Sequence, residues 1–180
     1  RNSQRVSRFI KEMTDEEILN FYFFQKNGYL TNLGILWIGT RNDRASLLYH
    51  PAMQVIRFDD NDEKVWKLLL DDYFSNPKEL LDKVLNDVPD WQESVEVSEG
   101  MFRKTIPFFP IEVVRELVVN ALVHRTYTTR GDIFINIFPD RMEIHSPGRL
   151  PFGVTPKNIL SQSVRRNEHL SKVFYDLGLM

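Results

Sequence analysis

Residues 110–146 read PIEVVRELVVNALVHRTYTTRGDIFINIFPDRMEIHS, and this stretch decides the fold. Pro110 suits the first turn of a helix, where its missing N–H costs little, and about four turns of mostly apolar sequence follow it. In the segment DIFINIF, isoleucine occupies every second position, which predicts a β-strand. Pro139-Asp140 then turns the chain back into a second strand. A long helix followed by an antiparallel hairpin predicts an α+β architecture, with helices packed on a mixed or antiparallel sheet.

The sequence before this stretch predicts further helices and strands. Thr14 and Glu17 have the spacing of a capping box, which predicts a short helix that ends near residues 26–28. The segment MQVIRF, residues 53–58, predicts a strand. Residues 63–87 predict a helix that is interrupted at Asn76-Pro77, because the residue before a proline avoids the helical region.

Four other segments complete the outline. The apolar run LGILWIG, residues 33–39, is too short to distinguish a strand from a helix. Residues 95–106 alternate in polarity and predict a hairpin. Thr155, followed by proline, predicts the cap of a short helix, and a last helix is expected from about residue 167 to 177, with Gly178 as a left-handed stop.

The composition is that of an ordinary globular protein, with 42% hydrophobic residues and no cysteine. The lack of cysteine excludes a disulfide framework and a thiolate metal site, and it suits a reducing compartment, so we expect a cytoplasmic protein. No run approaches the roughly 20 apolar residues that cross a membrane. The first residues lack the apolar core of a signal peptide, so we expect no membrane association.

Charge is unevenly distributed along the chain, although the net charge is only −2. Residues 1–100 contain 12 Lys and Arg against 18 Asp and Glu, whereas residues 101–180 contain 11 against 7, a balance of −6 against +4. The positive excess of the second half either serves an anionic ligand or forms a solvated face. Neither half is basic enough for an extended nucleic-acid footprint, so DNA binding by this segment alone is not favoured.

We expect two parts in the chain. Residues 1–100 form an α/β N-terminal part, and residues 101–180 contain the long helix, the hairpin and the segment after it. The sequence stops two residues after the predicted helix stop at Gly178. We therefore expect a piece of a longer protein, truncated at its C-terminal end.

Polar residues form a stripe along the long helix. Glu112, Glu116, Asn120 and His124 recur every four residues and share one face. Valines flank the stripe where a solvent-facing side would carry Lys or Glu, and a helix that is apolar nearly all round is usually buried. A buried carboxylate needs partners, which a cavity with a metal ion and a phosphorylated ligand would supply. The alternative is that the stripe faces water or a neighbouring loop.

The segment ELVVNALVH, residues 116–124, resembles the N-box, E-x-x-x-N-A-x-x-H, of the GHKL superfamily of gyrases, histidine kinases and MutL proteins, which share the Bergerat-type ATP-binding fold. The motif SPGRLP, residues 146–151, and VRRN, residues 164–167, follow in the order found in the RecG-related family of bacterial transcriptional regulators. In that family an HATPase_c_4-like segment usually follows a Schlafen-type AlbA_2 module, and a winged helix often comes after it.

The resemblance implies a Bergerat-like ATPase fold in the C-terminal part and binding of ATP with Mg²⁺. It implies that Asn120 is the Mg²⁺ ligand and that Glu116 is the catalytic base that orients the attacking water. It places the nucleotide contacts at Asn120, His124, Arg125, Ser146, Gly148 and Arg149. His124 is otherwise a hydrogen-bonded structural histidine, and Arg125 otherwise faces solvent. We interpret Arg165-Arg166 as solvated, although the pair is placed to complement an anion at a helix N-terminus.

The chain departs from the superfamily at its second motif, D-x-G-x-G. Ser146 stands at the aspartate position and Leu150 at that of the second glycine. Serine accepts a hydrogen bond but carries no charge, so adenine selectivity is weaker or is supplied elsewhere.

These observations predict an ATP- and Mg²⁺-binding regulatory module of a transcriptional regulator, with slow or no hydrolysis. The alternative is a non-catalytic scaffold that mediates protein or DNA contacts. An open pocket between the long helix and residues 146–151 favours the first function, whereas apolar filling and a Glu116–Arg149 ion pair favour the second. No G-x-x-x-x-G-K-[ST] loop is present, which excludes a P-loop helicase. We expect DNA binding through domains outside this segment, and a homodimer by analogy with gyrase-like proteins.

Overall fold

The computed structural model describes residues 4–47, 50–70, 73–159, 161 and 164–180. Within these residues the helices are α1 (Arg8–Glu12), α2 (Asp15–Phe21), α3 (Asn32–Ile38), α4 (Arg41–Ala45), α5 (Pro77–Asp87), α6 (Ile111–His124) and α7 (Glu168–Asp176), with a 3₁₀ turn at Pro89–Gln92. The strands are β1 (Gln25–Lys26), β2 (Tyr29–Leu30), β3 (Met53–Phe58), β4 (Lys64–Leu70), β5 (Ser94–Glu99), β6 (Phe102–Pro107), β7 (Ile133–Ile137) and β8 (Met142–His145).

A four-stranded mixed sheet, in the order β4-β3-β7-β8, forms the centre of the fold. Strand β3 pairs antiparallel with β4 and parallel with β7, and β7 pairs antiparallel with β8. The register places Val55 beside Ile135 and Ile135 beside Ile144. This confirms the predicted α+β class with a mixed sheet. Strands from both sides of residue 100 share the sheet, and the division of the chain at that position stays a prediction.

Helix α6 lies against this sheet through one apolar face. Val114, Val118 and Leu122 have no exposed surface, and the same is true of Val55 and Ile135 on the sheet. These side chains belong to one hydrophobic core that also includes residues of α5 and α7. Because only one face of α6 is used in this packing, its polar stripe is left free to line a site.

The ends of the helices follow the sequence signals. Thr14 accepts a hydrogen bond from the Glu17 N–H while the Glu17 carboxylate accepts one from the Thr14 N–H, which confirms the capping box. Pro110 is the N-cap residue of α6, directly before its first turn. Gly178, with a φ of +78°, follows the end of α7 and confirms the left-handed stop.

Two of the predicted helices are wrong. The first part of the helix predicted over residues 63–87 is strand β4, because Trp66, Leu68 and Leu70 turn toward the core at every second position and pairing with β3 overrides the helix preference of leucine. The residues after Thr155 that the structure describes form hydrogen-bonded turns, in which the Asn158 side chain binds the Thr155 N–H and the Gly153 carbonyl. The ambiguous run after Thr31 is the helix α3.

Strands β5 and β6 form a separate two-stranded sheet that confirms the hairpin predicted over residues 95–106. Across the ranges described, no helix has the length and apolar character needed to cross a membrane.

We predict that Leu122→Ala lowers the free energy of unfolding by about 2–5 kcal/mol, because it leaves a cavity between α6 and the sheet. Urea denaturation followed by circular dichroism measures this loss. Leu117→Ala is the matched control, since Leu117 lies on the same helix with 39% of its surface exposed, and we expect it to cost less than about 1 kcal/mol. Equal losses in the two variants would contradict the packing of α6 described above.

Candidate functional site

The polar stripe of α6 lies on the surface of the protein. Glu112, Glu116 and His124 are exposed, and Asn120 is half-buried. The interpretation that the stripe faces water or a loop therefore describes most of its length. Asn120 is the exception, because it lies where two cavities meet.

The larger cavity is a cleft of about 670 Å³ between α6, the turn at residues 146–151 and the segment before α7. Its polar lining consists of Asn120, His124, Ser146, Arg149, Arg165 and Arg166. Its apolar lining includes Leu117, Ile144, Leu150, Val154, Ile159, Val164 and Met180. We call this cavity the basic cleft. It is the open pocket that the sequence analysis associates with nucleotide binding.

The smaller cavity is a groove of about 330 Å³ on the other side of Asn120. Its charged lining consists of Glu112, Glu116 and Arg115, and we call it the acidic groove. Asn120 lines both cavities. Asn120 therefore lies on the border between a cleft lined by three arginines and a groove lined by two glutamates.

The positive charge of the basic cleft is not neutralised by the protein. No carboxylate lines the cleft, and Arg149, Arg165 and Arg166 form no ion pair among the residues that the structure describes. Arg166 instead donates hydrogen bonds to two neutral acceptors, the Thr126 hydroxyl and the Arg149 carbonyl. Guanidinium groups without a carboxylate partner attract anions, and phosphate is the anion that suits their planar fork of donors.

His124 responds to this environment. Although the His124 side chain is exposed, the partial loss of water around its ring is the first cause that lowers its pKa, and the positive charges of Arg166 and Arg165 lower this pKa further. The imidazole is therefore mostly neutral at pH 7. As the pH falls through its pKa, His124 gains a positive charge and the cleft becomes more attractive to anions.

The turn after β8 is held against the C-terminal end of α6. The Ser146 hydroxyl donates a hydrogen bond of 3.0 Å to the Ala121 carbonyl, and the Thr126 N–H donates one of 3.1 Å to the Pro147 carbonyl. Gly148 has a φ of +121°, and a Cβ atom at this position would overlap the Thr126 side chain. The glycine of the SPGRLP motif is thus required by backbone conformation and by space.

Asn167 completes this junction, and the sequence analysis did not identify its role. Its side-chain amide donates hydrogen bonds of 2.7 Å to the Val123 carbonyl and 2.8 Å to the Arg125 carbonyl. These carbonyls lie at the end of α6, where helical partners are lacking. The bonds hold the segment before α7, including Arg165 and Arg166, beside the cleft. The only signal in the sequence is the position of Asn167 in the VRRN motif.

The structure brings together most of the residues expected at the site. Asn120, His124, Ser146, Gly148 and Arg149 line the basic cleft, whereas Glu116 lies in the acidic groove.

Arg125 lies outside the lining of the cleft, with 1% of its surface exposed. It donates a hydrogen bond of 2.8 Å to the Gly131 carbonyl, and its guanidinium lies 5.0 Å from the Tyr127 ring centroid. Burial lowers the pKa of Arg125 from its ordinary value, although a guanidinium stays charged. Arg125 therefore holds the loop between α6 and β7. It lies outside the cleft in which the resemblance places it as a nucleotide contact, and the alternative that it faces solvent is wrong. The interpretation of Arg165-Arg166 as merely solvated is also incomplete, since both residues line the cleft.

Comparison with known protein families finds a match for the part of the chain that follows α6. Residues 131–180 match the family described as "Putative ATP-dependent DNA helicase recG C-terminal". The matched region includes the hairpin β7-β8, the SPGRLP turn and α7. The match supports a RecG-related ATPase-like domain in this part of the chain.

The fold as a whole is similar to the crystal structure of the DIP2311 protein from Corynebacterium diphtheriae. The TM-score is 0.75 at 25% sequence identity, and the alignment covers 97% of this chain. It covers 35% of the DIP2311 chain, so this protein spans about a third of the length of that relative. No sequence among the curated proteins matches this chain.

We predict that Gly148→Ala destabilises the protein, because an L-residue at this φ is strained by about 1–3 kcal/mol and its Cβ would also press on Thr126. Gly153→Ala is the control. Gly153 also has a positive φ, of +81°, but a Cβ there meets nothing within 4 Å. We expect the control to lose only the strain of about 1–2 kcal/mol. Urea denaturation of both variants measures the difference, and equal losses would refute the close contact with Thr126.

We predict that the pKa of His124, measured by NMR titration of its ring protons, lies below the value of about 6.5 for an unperturbed histidine. Arg165→Gln should raise this pKa, because it removes a positive charge that opposes protonation. Lys157→Gln, which removes a charge at an exposed position outside the cleft lining, should leave it unchanged. If Arg165→Gln leaves the pKa of His124 unchanged, the charge of Arg165 does not oppose the protonation of His124.

Proposed function

We propose that the basic cleft binds ATP with Mg²⁺ and that the protein is a nucleotide-binding regulatory module of a transcriptional regulator. The single observation that carries this proposal is an open cleft lined by three arginines and no carboxylate among the described residues, with Asn120 on its border with the acidic groove. The family match over residues 131–180 supports the same class of ligand.

The size and lining of the cleft fit a nucleotide. Its volume of about 670 Å³ falls in the range of roughly 300–1,000 Å³ that is usual for cofactor sites. Arg149, Arg165 and Arg166 would bind the phosphates. The apolar side chains on the remaining walls would contact the base.

Asn120 would hold Mg²⁺ through its carboxamide oxygen. Across the residues described, no group of three His, Cys, Asp or Glu side chains is placed to bind a metal ion. A cation at this position would therefore depend on phosphate oxygens and water for its other ligands, as Mg²⁺ commonly does. When bound, Mg²⁺ would neutralise part of the phosphate charge.

Glu116 would act as the base in hydrolysis. It lies one helical turn before Asn120 and faces the acidic groove. Its carboxylate would accept a proton from the water that attacks the terminal phosphate. Among the described residues, no ion pair orients Glu116, and we therefore propose that hydrolysis is slow or absent.

The alternative function, a non-catalytic scaffold, has less support from the geometry. The cleft is open rather than filled, and the structure records no ion pair between the exposed Glu116 and Arg149 in the ranges it describes. Regulation of transcription, DNA binding through domains outside this segment, cytoplasmic localisation and formation of a homodimer remain proposals. The chain spans about a third of the length of its solved relative.

We predict that isothermal titration calorimetry detects binding of ATP in the presence of Mg²⁺, and that Arg165→Gln weakens it by roughly 10- to 100-fold, because a hydrogen bond to a charged group is lost. ATP should bind more tightly in the presence of Mg²⁺ than in the presence of a chelator, and Asn120→Ala should remove this difference in affinity. Glu116→Gln should leave binding unchanged while abolishing any release of phosphate. Lys157→Gln is the control for loss of a charge outside the cleft.

Absence of ATP binding to the unaltered protein would refute the proposal and leave the scaffold function. Binding that Arg165→Gln and Lys157→Gln weaken equally would mean that ATP is attracted by general surface charge. Circular dichroism of each variant establishes that it is folded.

A further inference from the structure

The lining of the basic cleft has several groups that bind phosphate and few that distinguish one base from another. We infer that the cleft accepts nucleoside triphosphates as a class and does not select adenine over guanine. This inference rests on the proposed function and names the substrate class of the same site. It follows from the way in which each polar group near the turn is already used.

Selection of a base requires donors and acceptors that are free to bind its edge and that stay unsatisfied when the wrong base is present. The proton of the Ser146 hydroxyl is donated to the Ala121 carbonyl. The Pro147 carbonyl accepts a hydrogen bond from the Thr126 N–H, and the Arg149 carbonyl accepts one from Arg166. After these bonds the Ser146 oxygen and the two carbonyls can only accept, and each keeps a lone pair that the exocyclic amino group of adenine or of guanine would use alike.

His124 also lines the cleft, and because its ring can adopt either tautomer it can donate to or accept from either base. The other side chains of the cleft add little that distinguishes one base from another. No carboxylate lines the cleft among the described residues, so the exocyclic amino group of adenine or guanine has no anionic acceptor. Asn120 lies on the border with the acidic groove, where it is placed for the phosphate end of a ligand. The guanidinium groups of the three arginines are donors only, and a phosphate oxygen is a better acceptor for them than a base nitrogen or carbonyl.

The apolar wall of the cleft suits the faces of any base. Leu150 and Ile159 each expose 46% of their surface, and Val164 exposes 40%. Contact with such side chains depends on area rather than on hydrogen-bonding pattern, and an apolar pocket distinguishes similar ligands only weakly. Affinity should therefore increase with phosphate charge and with the presence of a base, and it should depend little on which base is bound.

The test is calorimetric titration of the unaltered protein with ATP, GTP and inorganic triphosphate, each with Mg²⁺. We expect dissociation constants for ATP and GTP that agree within about tenfold, the limit of weak discrimination by an apolar pocket. Inorganic triphosphate should bind more weakly than either. A preference of more than about 100-fold for one base would overturn this inference while leaving nucleotide binding intact. Failure of all three ligands to bind would refute the proposed function as well.

Two variants separate the contributions of the wall and the charges. Leu150→Ala should weaken ATP and GTP equally, by roughly tenfold, and should not affect inorganic triphosphate, which has no base. Arg165→Gln should weaken all three ligands. Phe152→Ala is the matched control for loss of an apolar side chain, because Phe152 is fully exposed and lies outside the cleft lining. If Leu150→Ala changes the ratio of ATP to GTP affinity severalfold, the apolar wall distinguishes the two bases and the inference is wrong.

Discussion

The burial of one face of α6 against the mixed sheet is the interaction on which the other features depend. Val118 and Leu122 have no exposed surface, and each contributes about 1.5–3 kcal/mol through the removal of apolar area from water. Because a helix turns once in about 3.6 residues, fixing this face also fixes the direction of Asn120 and His124. The orientation of the polar stripe is thus a consequence of core packing, and the candidate site lies on the side of α6 that the core leaves free.

The C-terminal end of α6 gathers segments that are distant in the sequence. Ser146 from the turn after β8 and Asn167 from the residue before α7 both bind carbonyl groups in the last turns of this helix. The Asn167 bonds satisfy carbonyls at the helix end that lack helical partners, whereas the Ala121 carbonyl that Ser146 binds also accepts from the Arg125 N–H. The same bonds place Arg149 on one side of the cleft and Arg165 and Arg166 on another. Helix capping therefore assembles the positive charge that an anionic ligand requires.

Much of the fold was predictable from local patterns. The capping box at Thr14, the alternation of isoleucine in β7 and the glycine stop after α7 are each determined by chemistry within a few residues. Strand β4 was not predictable in this way, since leucine-rich sequence favours a helix and only pairing with β3, at another position of the sheet, makes it a strand. The helix predicted after Thr155 is replaced by turns, in which the Asn158 side chain binds backbone groups that precede it.

For the site, the sequence by itself determined the residue types and their order along α6, since four-residue spacing places Glu112, Glu116, Asn120 and His124 on one face wherever the helix lies. It did not determine which arginines would join them. Arg125 directly follows these residues in the sequence but is buried beside Tyr127, whereas Arg165 and Arg166, some 40 residues further along, line the cleft. Only the tertiary structure decided which arginines line the cleft. The position of a long charged side chain depends on the carbonyls and cavities within its reach, and these come from segments that are far apart in the sequence.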